Sequence, residues 1–413
     1  MTDDISWLEA ILNPSPEENP AEAFPWHLGV FDAHCHPTDT PSSLDSIPHM
    51  KARALAIMAT RGEDQSVVAS FAEAHTLTPS SSIPQLLQKE TSPDGPQQQH
   101  DCKLIPSFGY HPWFSHLIYD DTHLPPPSKQ DHYTSILTPL PPLPFLSSLP
   151  DPLPLTHLLS QTRTRLYKHL YALIGEIGLD RSFRLPDHVP TPSSSSSTDE
   201  LTGRREGRSL SSYRVTISHQ RTILTAQLAL AGELQRAVSV HGVAAHGLLF
   251  ETLAETWKGY EKNVVSRRAQ RQRQKQRQEE ARAENEVDGD GDGGDADRKA
   301  TMPFPPRICL HSYSGPPDTL RRYYHPSVPA TVFVSFSVLV NLKEATGRKT
   351  VDVIRTVPDG CVLVESDLHC AGERMDGLLE RMVRVVCRAK GWGLEEGVRR
   401  LGDNWRRFVF GVG

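Results

Sequence analysis

Residues 30–36 read Val-Phe-Asp-Ala-His-Cys-His. Side chains two apart on a strand point to the same side, so Asp32, His34 and His36 would share one face. Phe31, Ala33 and Cys35 would lie on the other, turned toward helices. Two imidazoles at the end of a strand suit a single divalent metal. The pattern recurs along the chain. Glu176 follows Leu173-Ile174-Gly175, His241 closes Val238-Ser239-Val240, His311 closes Ile308-Cys309-Leu310, and Asp367 ends the run 362–367. A charge at a buried strand end is costly unless it meets a partner or a metal. His34, His36, Glu176, His241, His311 and Asp367 therefore predict a centre for one or two divalent ions, whose chemistry is hydrolysis by activated water. His111, in Gly109-Tyr110-His111-Pro112-Trp113, is a candidate for substrate contact or for packing. His246, five residues past His241 in a loop or early helix, is a further candidate on the substrate side.

Positioning six such groups requires several strands that end on one rim. Eight short apolar, β-branched runs meet that need, at residues 28–36, 54–60, 104–111, 170–180, 237–241, 307–312, 330–338 and 361–367. Helix-like stretches separate many of them, at 64–77, 218–235 and 351–356, with 376–390 after the last. In the second, Ile223, Gln227, Leu230 and Leu234 follow the spacing of a buried face. Eight strands alternating with helices predict a single (β/α)8 barrel, which accommodates 413 residues when its loops are enlarged. Three stretches interrupt the rhythm and are expected to be insertions. Residues 125–154 are rich in proline and are not expected to run as helix or central strand. Residues 186–212 contain a serine run, and 267–299 pass from a basic run into a Gly/Asp tract with almost nothing to bury. Asp288, Asp290, Asp292 and Gly293 imitate the start of a calcium loop, but the twelfth position is Lys299 where a glutamate belongs.

The net charge of −6 supplies no global basic field, so a nucleic-acid substrate would be held locally by metals and loops. The six cysteines form no CxxC pair, which argues against a zinc knuckle or a disulfide framework and for a reducing compartment. Residues 1–4 carry acids rather than a basic leader, and no apolar run is long enough for a membrane span. The expected location is the cytoplasm, the nucleus or both.

Taken together these motifs resemble the TatD family of metal-dependent deoxyribonucleases, across nearly the whole chain outside the insertions. The resemblance rests on Phe31-Asp32-Ala33-His34-Cys35-His36, Gly109-Tyr110-His111-Pro112, Gly175-Glu176-Ile177-Gly178-Leu179-Asp180, His311-Ser312-Tyr313-Ser314-Gly315, Glu365-Ser366-Asp367 and the closing run 404–411. It implies a barrel of the amidohydrolase-like type, with the six residues above as ligands of magnesium, manganese or zinc. It also implies that Glu176 bridges two ions and that Asp367 orients or deprotonates the attacking water, with DNA or another phosphodiester as substrate. Two runs depart from the family. Gly242-Val243-Ala244 lacks the usual arginine after His241, and Leu368-His369-Cys370 replaces Ala-Pro-Tyr after Asp367. The chain further resembles a fungal branch labelled as interactors of a tetratricopeptide-repeat subunit of the anaphase-promoting complex, which implies a protein partner. The rival readings are hydrolysis of another ester or amide at the same metal site, and a barrel kept as an interaction partner.

Overall fold

The computed structural model describes Leu8, Ile11 and residues 23–75, 102–122, 125–187, 209–264, 302–343 and 346–412. Eight strands form one parallel sheet in sequence order: β1 Phe31–Cys35, β2 Ala54–Met58, β3 Lys103–Phe108, β4 Leu173–Asp180, β5 Val238–Val243, β6 Arg307–Leu310, β7 Thr331–Phe336 and β8 Val362–Val364. Each falls within or overlaps one of the runs read from the sequence. The first and last strands close on each other beyond the regular ladder. Asp367 N donates to the His34 carbonyl at 3.1 Å, and His36 N donates to the Leu368 carbonyl at 2.7 Å. Asp32, buried between them, accepts from Ser366 N at 3.1 Å and from the Ser366 hydroxyl. The sheet is thus a (β/α)8 barrel, and five of its strands, β1, β4, β5, β6 and β8, bring the six candidate ligands to one rim.

Helices α1 Asp64–His75, α2 Lys129–Ile136, α3 Leu143–Ser148, α4 Leu155–Lys168, α5 Ile217–Glu233, α6 His246–Thr256, α7 Pro317–Tyr323, α8 Gly347–Thr356, α9 Glu373–Lys390 and α10 Leu394–Phe410 surround it. Strand residues facing outward, such as Leu55, Ile57, Leu104, Ile174 and Val240, form one apolar layer with the helices. A second cluster takes side chains from every strand or the residue just before it, including Phe31, Ala33, Ala56, Ile105, Leu173, Cys309, Phe333 and Leu363, together with Trp405 and Phe408 of α10. That cluster fills the barrel below the rim, and α10 closes its lower end. Trp405 stacks on Phe31 at 4.6 Å and donates through Nε1 to the Asp32 carbonyl at 3.1 Å.

This corrects the simple alternation expected for the first strand. Phe31 and Ala33 point into the barrel, whereas Cys35 joins the helix-side layer. The pairing of β1 with β2 slips between Asp32 and Cys35. An irregularity of this kind breaks the two-residue period and re-aims the side chains beyond it.

The expectation that 125–154 would carry no helix is also corrected, because α2 and α3 lie within it. No proline interrupts α2, and the proline in α3, Pro144, sits in the first turn, where its missing N–H has no helical acceptor to lose. Tyr133, Ile136, Leu146 and Leu149 bury against Phe183, Leu185 and Val215 in a small cluster of their own. The second insertion leaves and returns at an antiparallel bridge between Pro186 and Leu210. Its residues 188–208 lie outside the described residues, as does all of 267–299 with its basic run and Gly/Asp tract.

Helix α5 shows how the outer layer fixes the rim. Ile223, Gln227 and Leu230 are buried as the spacing predicts, with Leu234 half-buried at the helix end. Gln227 accepts from Tyr110 N at 2.8 Å and donates to Tyr110 O at 3.1 Å. Two turns earlier on the same face, Gln220 makes the same two-point clip on Asp180, at 2.8 and 2.9 Å. Both main-chain segments lie where β3 and β4 reach the rim, so buried amides hold them in place while satisfying groups that would otherwise be orphaned.

Candidate metal centre

The carboxylate of Glu176, at mid-strand in β4, is the hub. His34 Nε2 and His36 Nε2 each lie 3.4 Å from its Oε2. Its Oε1 faces His111 Nε2 at 3.2 Å, His241 Nδ1 at 2.8 Å and His311 Nε2 at 2.7 Å. The two oxygens thus face two separate sets of imidazoles. Asp367 Oδ1 completes the first set, 3.9 Å from His34 Nε2 and 3.6 Å from His36 Nε2. The ring nitrogens also crowd one another, at 3.1 Å between His34 and His36 and 3.2 Å between His241 and His311.

The nitrogens on the far side of three rings decide what this crowding means. His34 Nδ1 lies 2.8 Å from the Ser239 hydroxyl of β5, His241 Nε2 lies 3.3 Å from Asp180 Oδ2, and His311 Nδ1 lies 3.4 Å from Glu365 Oε1. A far nitrogen that carries its proton toward such an oxygen leaves a lone pair on the near nitrogen, aimed at the centre. Converging lone pairs repel unless a cation lies between them. Donor atoms about 2.0–2.2 Å from a four-coordinate ion lie roughly 3.3–3.6 Å apart. The separations among His34, His36, Glu176 and Asp367 run from 3.1 to 3.9 Å. The residues present therefore fit a divalent metal.

The histidines keep both carboxylates of the centre ionised. Burial alone would raise the Glu176 carboxyl, but His111, His311 and His34 hold it well below the usual range. Burial is likewise overcome at Asp367, which a hydrogen bond with His36 and the charges of the neighbouring histidines hold at about 2. Burial lowers His34, whereas Asp367 and Glu176 lift His36 to about 9 against it. Asp367 has a left-handed backbone φ of 53°, uncommon for a residue with a side chain.

His111 sits deeper than a substrate contact would. It is buried, and its Nδ1 accepts from Trp113 N at 3.1 Å. That leaves the proton on Nε2, which donates to Glu176 Oε1, so His111 steadies the hub rather than offering a ligand lone pair. Burial pushes its pKa down to about 4, keeping the ring neutral. His246 lies outside the cluster. It opens α6 with its ring 5.2 Å from that of Tyr313. His369, in the run that follows Asp367, stacks on His36 at 5.1 Å and is held by Asp39 Oδ2 at 2.7 Å.

Sequence reasoning assigned no role to Asp180, Glu365 or Ser239. Asp180 is tied down by Trp113 Nε1 at 2.6 Å on Oδ2 and by Ser182 N at 2.7 Å and Phe183 N at 3.0 Å on Oδ1. Glu365 is fully buried and accepts from the hydroxyls of Ser312 and Ser335. The available signal was that both carboxylates close apolar runs, Asp180 as the last residue of β4 and Glu365 directly after β8.

The sequence pattern of the family described as TatD related DNase matches residues 31–409. The Schizosaccharomyces pombe protein named Cut9-interacting protein scn1 is 34% identical over 390 residues, covering 92% of this chain and 98% of that protein. The Saccharomyces cerevisiae protein named uncharacterized deoxyribonuclease YMR262W is 26% identical over 264 residues, 63% of this chain and 64% of that one. Among solved structures, the TatD homologue YjjV of Escherichia coli K12 is similar at a TM-score of 0.47 and 16% identity, covering 93% of this chain and 98% of that one.

Proposed function

The chain belongs to the TatD related DNase family and is a metal-dependent hydrolase of that type, and from this premise we propose that it cuts DNA phosphodiester bonds with two divalent ions that share Glu176. The observation that carries this reading is the division of five imidazoles between the two oxygens of Glu176, two on Oε2 and three on Oε1. His34, His36, Glu176 and Asp367 would hold one ion; Glu176, His241 and His311 would hold the other. Four imidazoles with two carboxylates suit zinc or manganese better than magnesium, which keeps mostly oxygen and water ligands.

Bound there, such ions supply Lewis acidity to a phosphoryl oxygen and to water. The residues do the rest. Asp367 is the most open of the six, its side chain 17% exposed against 10% or less for the others. Ionised and partly open, it would orient the attacking water or accept its proton. His111 holds Glu176 in line, Asp180 and Ser239 fix the ring orientations of His241 and His34, and Glu365 faces His311 Nδ1 at 3.4 Å.

A protein partner of the kind recorded in the fission-yeast relative's name would act beside this activity, since all six donor residues are retained. No described helix is long and apolar enough to cross a membrane. The six free cysteines support a reducing compartment, such as cytoplasm or nucleus.

The test is metal analysis of the purified protein coupled to cleavage of single- and double-stranded DNA. Metal-loaded wild-type protein should cleave, and Glu176→Ala should not. Equal cleavage by the two proteins would overturn the reading.

A further inference from the structure

A nucleic-acid strand carries a negative charge at every phosphate, so a centre that binds one phosphate leaves its neighbours to be met by the rim. Three cations follow or approach the strand ends. Arg61, just past β2, is already engaged, with Asp39 at 3.8 Å, Glu63 at 3.6 Å and the Phe114 ring beneath it at 5.5 Å. Arg181, just past β4, lines an open groove with Thr222 and Thr225 on the outer face of α5. Lys349, in the first turn of α8, differs from both. Its ammonium donates to the Ser314 carbonyl at 2.9 Å and has no carboxylate partner among the described residues. Ser314 lies three residues beyond His311, so the loop that carries a candidate ligand also carries this cation.

His246 packs against the same loop, beside Gly315. A Cβ at Gly315 would come within 2.9 Å of the His246 ring and 2.4 Å of the Tyr313 hydroxyl, and one at Gly242 would come within 3.6 Å of His246 Nδ1. The glycines let the loops after His241 and His311 close against this imidazole. Neither of its ring nitrogens is hydrogen-bonded among the described residues. Burial, Lys349 and His241, in that order, push its pKa down to about 4, which places the charges of both residues within reach of the ring. Two groups with unused donor capacity therefore sit together on the rim beside His241 and His311.

We propose that Lys349 and His246 form a phosphate subsite beside the metal centre, which takes the phosphate next to the scissile one on a single nucleic-acid strand. Lys349 supplies the charge and His246 a neutral N–H, while the Ser314 carbonyl fixes the ammonium. The run 242–244 offers no cation after His241, and Lys349 brings one to that side of the rim from a helix more than a hundred residues away. The inference rests on the phosphodiesterase reading, and its test is arranged to fail separately.

The experiment is fluorescence anisotropy of a labelled single-stranded oligonucleotide with the full-length protein across a salt series. The variants are Lys349→Ala, Lys349→Arg, His246→Ala and, as a control of equal charge on the distal helix α10, Arg399→Ala. Hydrolysis of bis(p-nitrophenyl) phosphate, which has no neighbouring phosphate, is followed in parallel. Lys349→Ala should raise Kd about tenfold, the scale of one charge-assisted contact, and reduce the salt slope by about 0.7. Lys349→Arg should restore both, His246→Ala should weaken binding less, and Arg399→Ala should change neither. Cleavage of the small diester should be unchanged in Arg399→Ala, and Lys349→Ala should lower it by a smaller factor than it raises the oligonucleotide Kd. An unchanged Kd and slope in Lys349→Ala, or equal loss in Arg399→Ala, would overturn the subsite. Oligonucleotide binding that depends on Lys349 with no diester hydrolysis by wild type would instead overturn the hydrolase reading and leave the subsite standing.

Discussion

Replacing Asp180 by asparagine tests whether the centre depends on a residue that touches no ion. Asp180 Oδ1 accepts from Ser182 N at 2.7 Å and Phe183 N at 3.0 Å, and an asparagine carbonyl can keep both bonds. The amide NH2 must then stand where Oδ2 stood, 3.3 Å from His241 Nε2 and 2.6 Å from Trp113 Nε1. There it donates to His241 Nε2, which drives the ring proton to Nδ1. That nitrogen is the one 2.8 Å from Glu176 Oε1, so the lone pair aimed at the centre is lost. Partners of this kind change metal affinity by about 10- to 100-fold, which corresponds to about 1.4–2.8 kcal/mol. The orphaned Trp113 N–H adds a folding cost of about 1–3 kcal/mol, so stability and metal affinity must be separated. Zinc or manganese affinity is measured by chelator competition and stability by thermal unfolding of the metal-free protein. Adding Trp113→Phe to Asp180→Asn removes the orphaned donor; it should recover part of the stability and none of the affinity. A folded Asp180→Asn protein that binds metal as tightly as wild type would refute the reasoning.

Glu176→Ala should lose at least about two to three orders of magnitude in rate, measured as kcat on DNA, with His111→Phe losing less because it removes hydrogen bonds to the hub and to Trp113 N but no metal ligand. His34→Ala and Asp367→Ala should each lower metal stoichiometry by elemental analysis, and full stoichiometry in both would show the donor set to be wrong. Gly178→Ala should unfold at lower temperature and bind less metal, since its Cβ would fall 2.0 Å from the His241 carbonyl oxygen and force β4 and β5 apart. Deleting residues 267–297 should leave the unfolding free energy within about 1 kcal/mol of the parent, the scale of surface changes, and a collapse of the fold would show that the segment contributes to the core.

Eight strands and the six residues at their ends were legible because strand formation and the position of a side chain along it are local properties. An apolar run of Val, Ile and Leu that stops at His241 or His311 needs no knowledge of its neighbours to be read. The reading failed where a neighbour intervened. The slip between β1 and β2 broke the shared face of Phe31, Ala33 and Cys35 by carrying Cys35 to the helix side, and burial against Phe183 and Val215 made helices of a stretch whose prolines suggested loop.

The chain sequence by itself determined which residues could hold a metal and the order of the strands that carry them. Only the tertiary structure decided how they act. Ser239 is 205 residues from His34, Asp180 is 61 from His241, and Ser366 is 334 from Asp32. The first two partners orient the imidazoles toward the centre, and Ser366 ties the last strand to the first through Asp32. A proton's position on an imidazole depends on what lies within about 3 Å of it, and barrel closure, which no local pattern encodes, is what brings those atoms together.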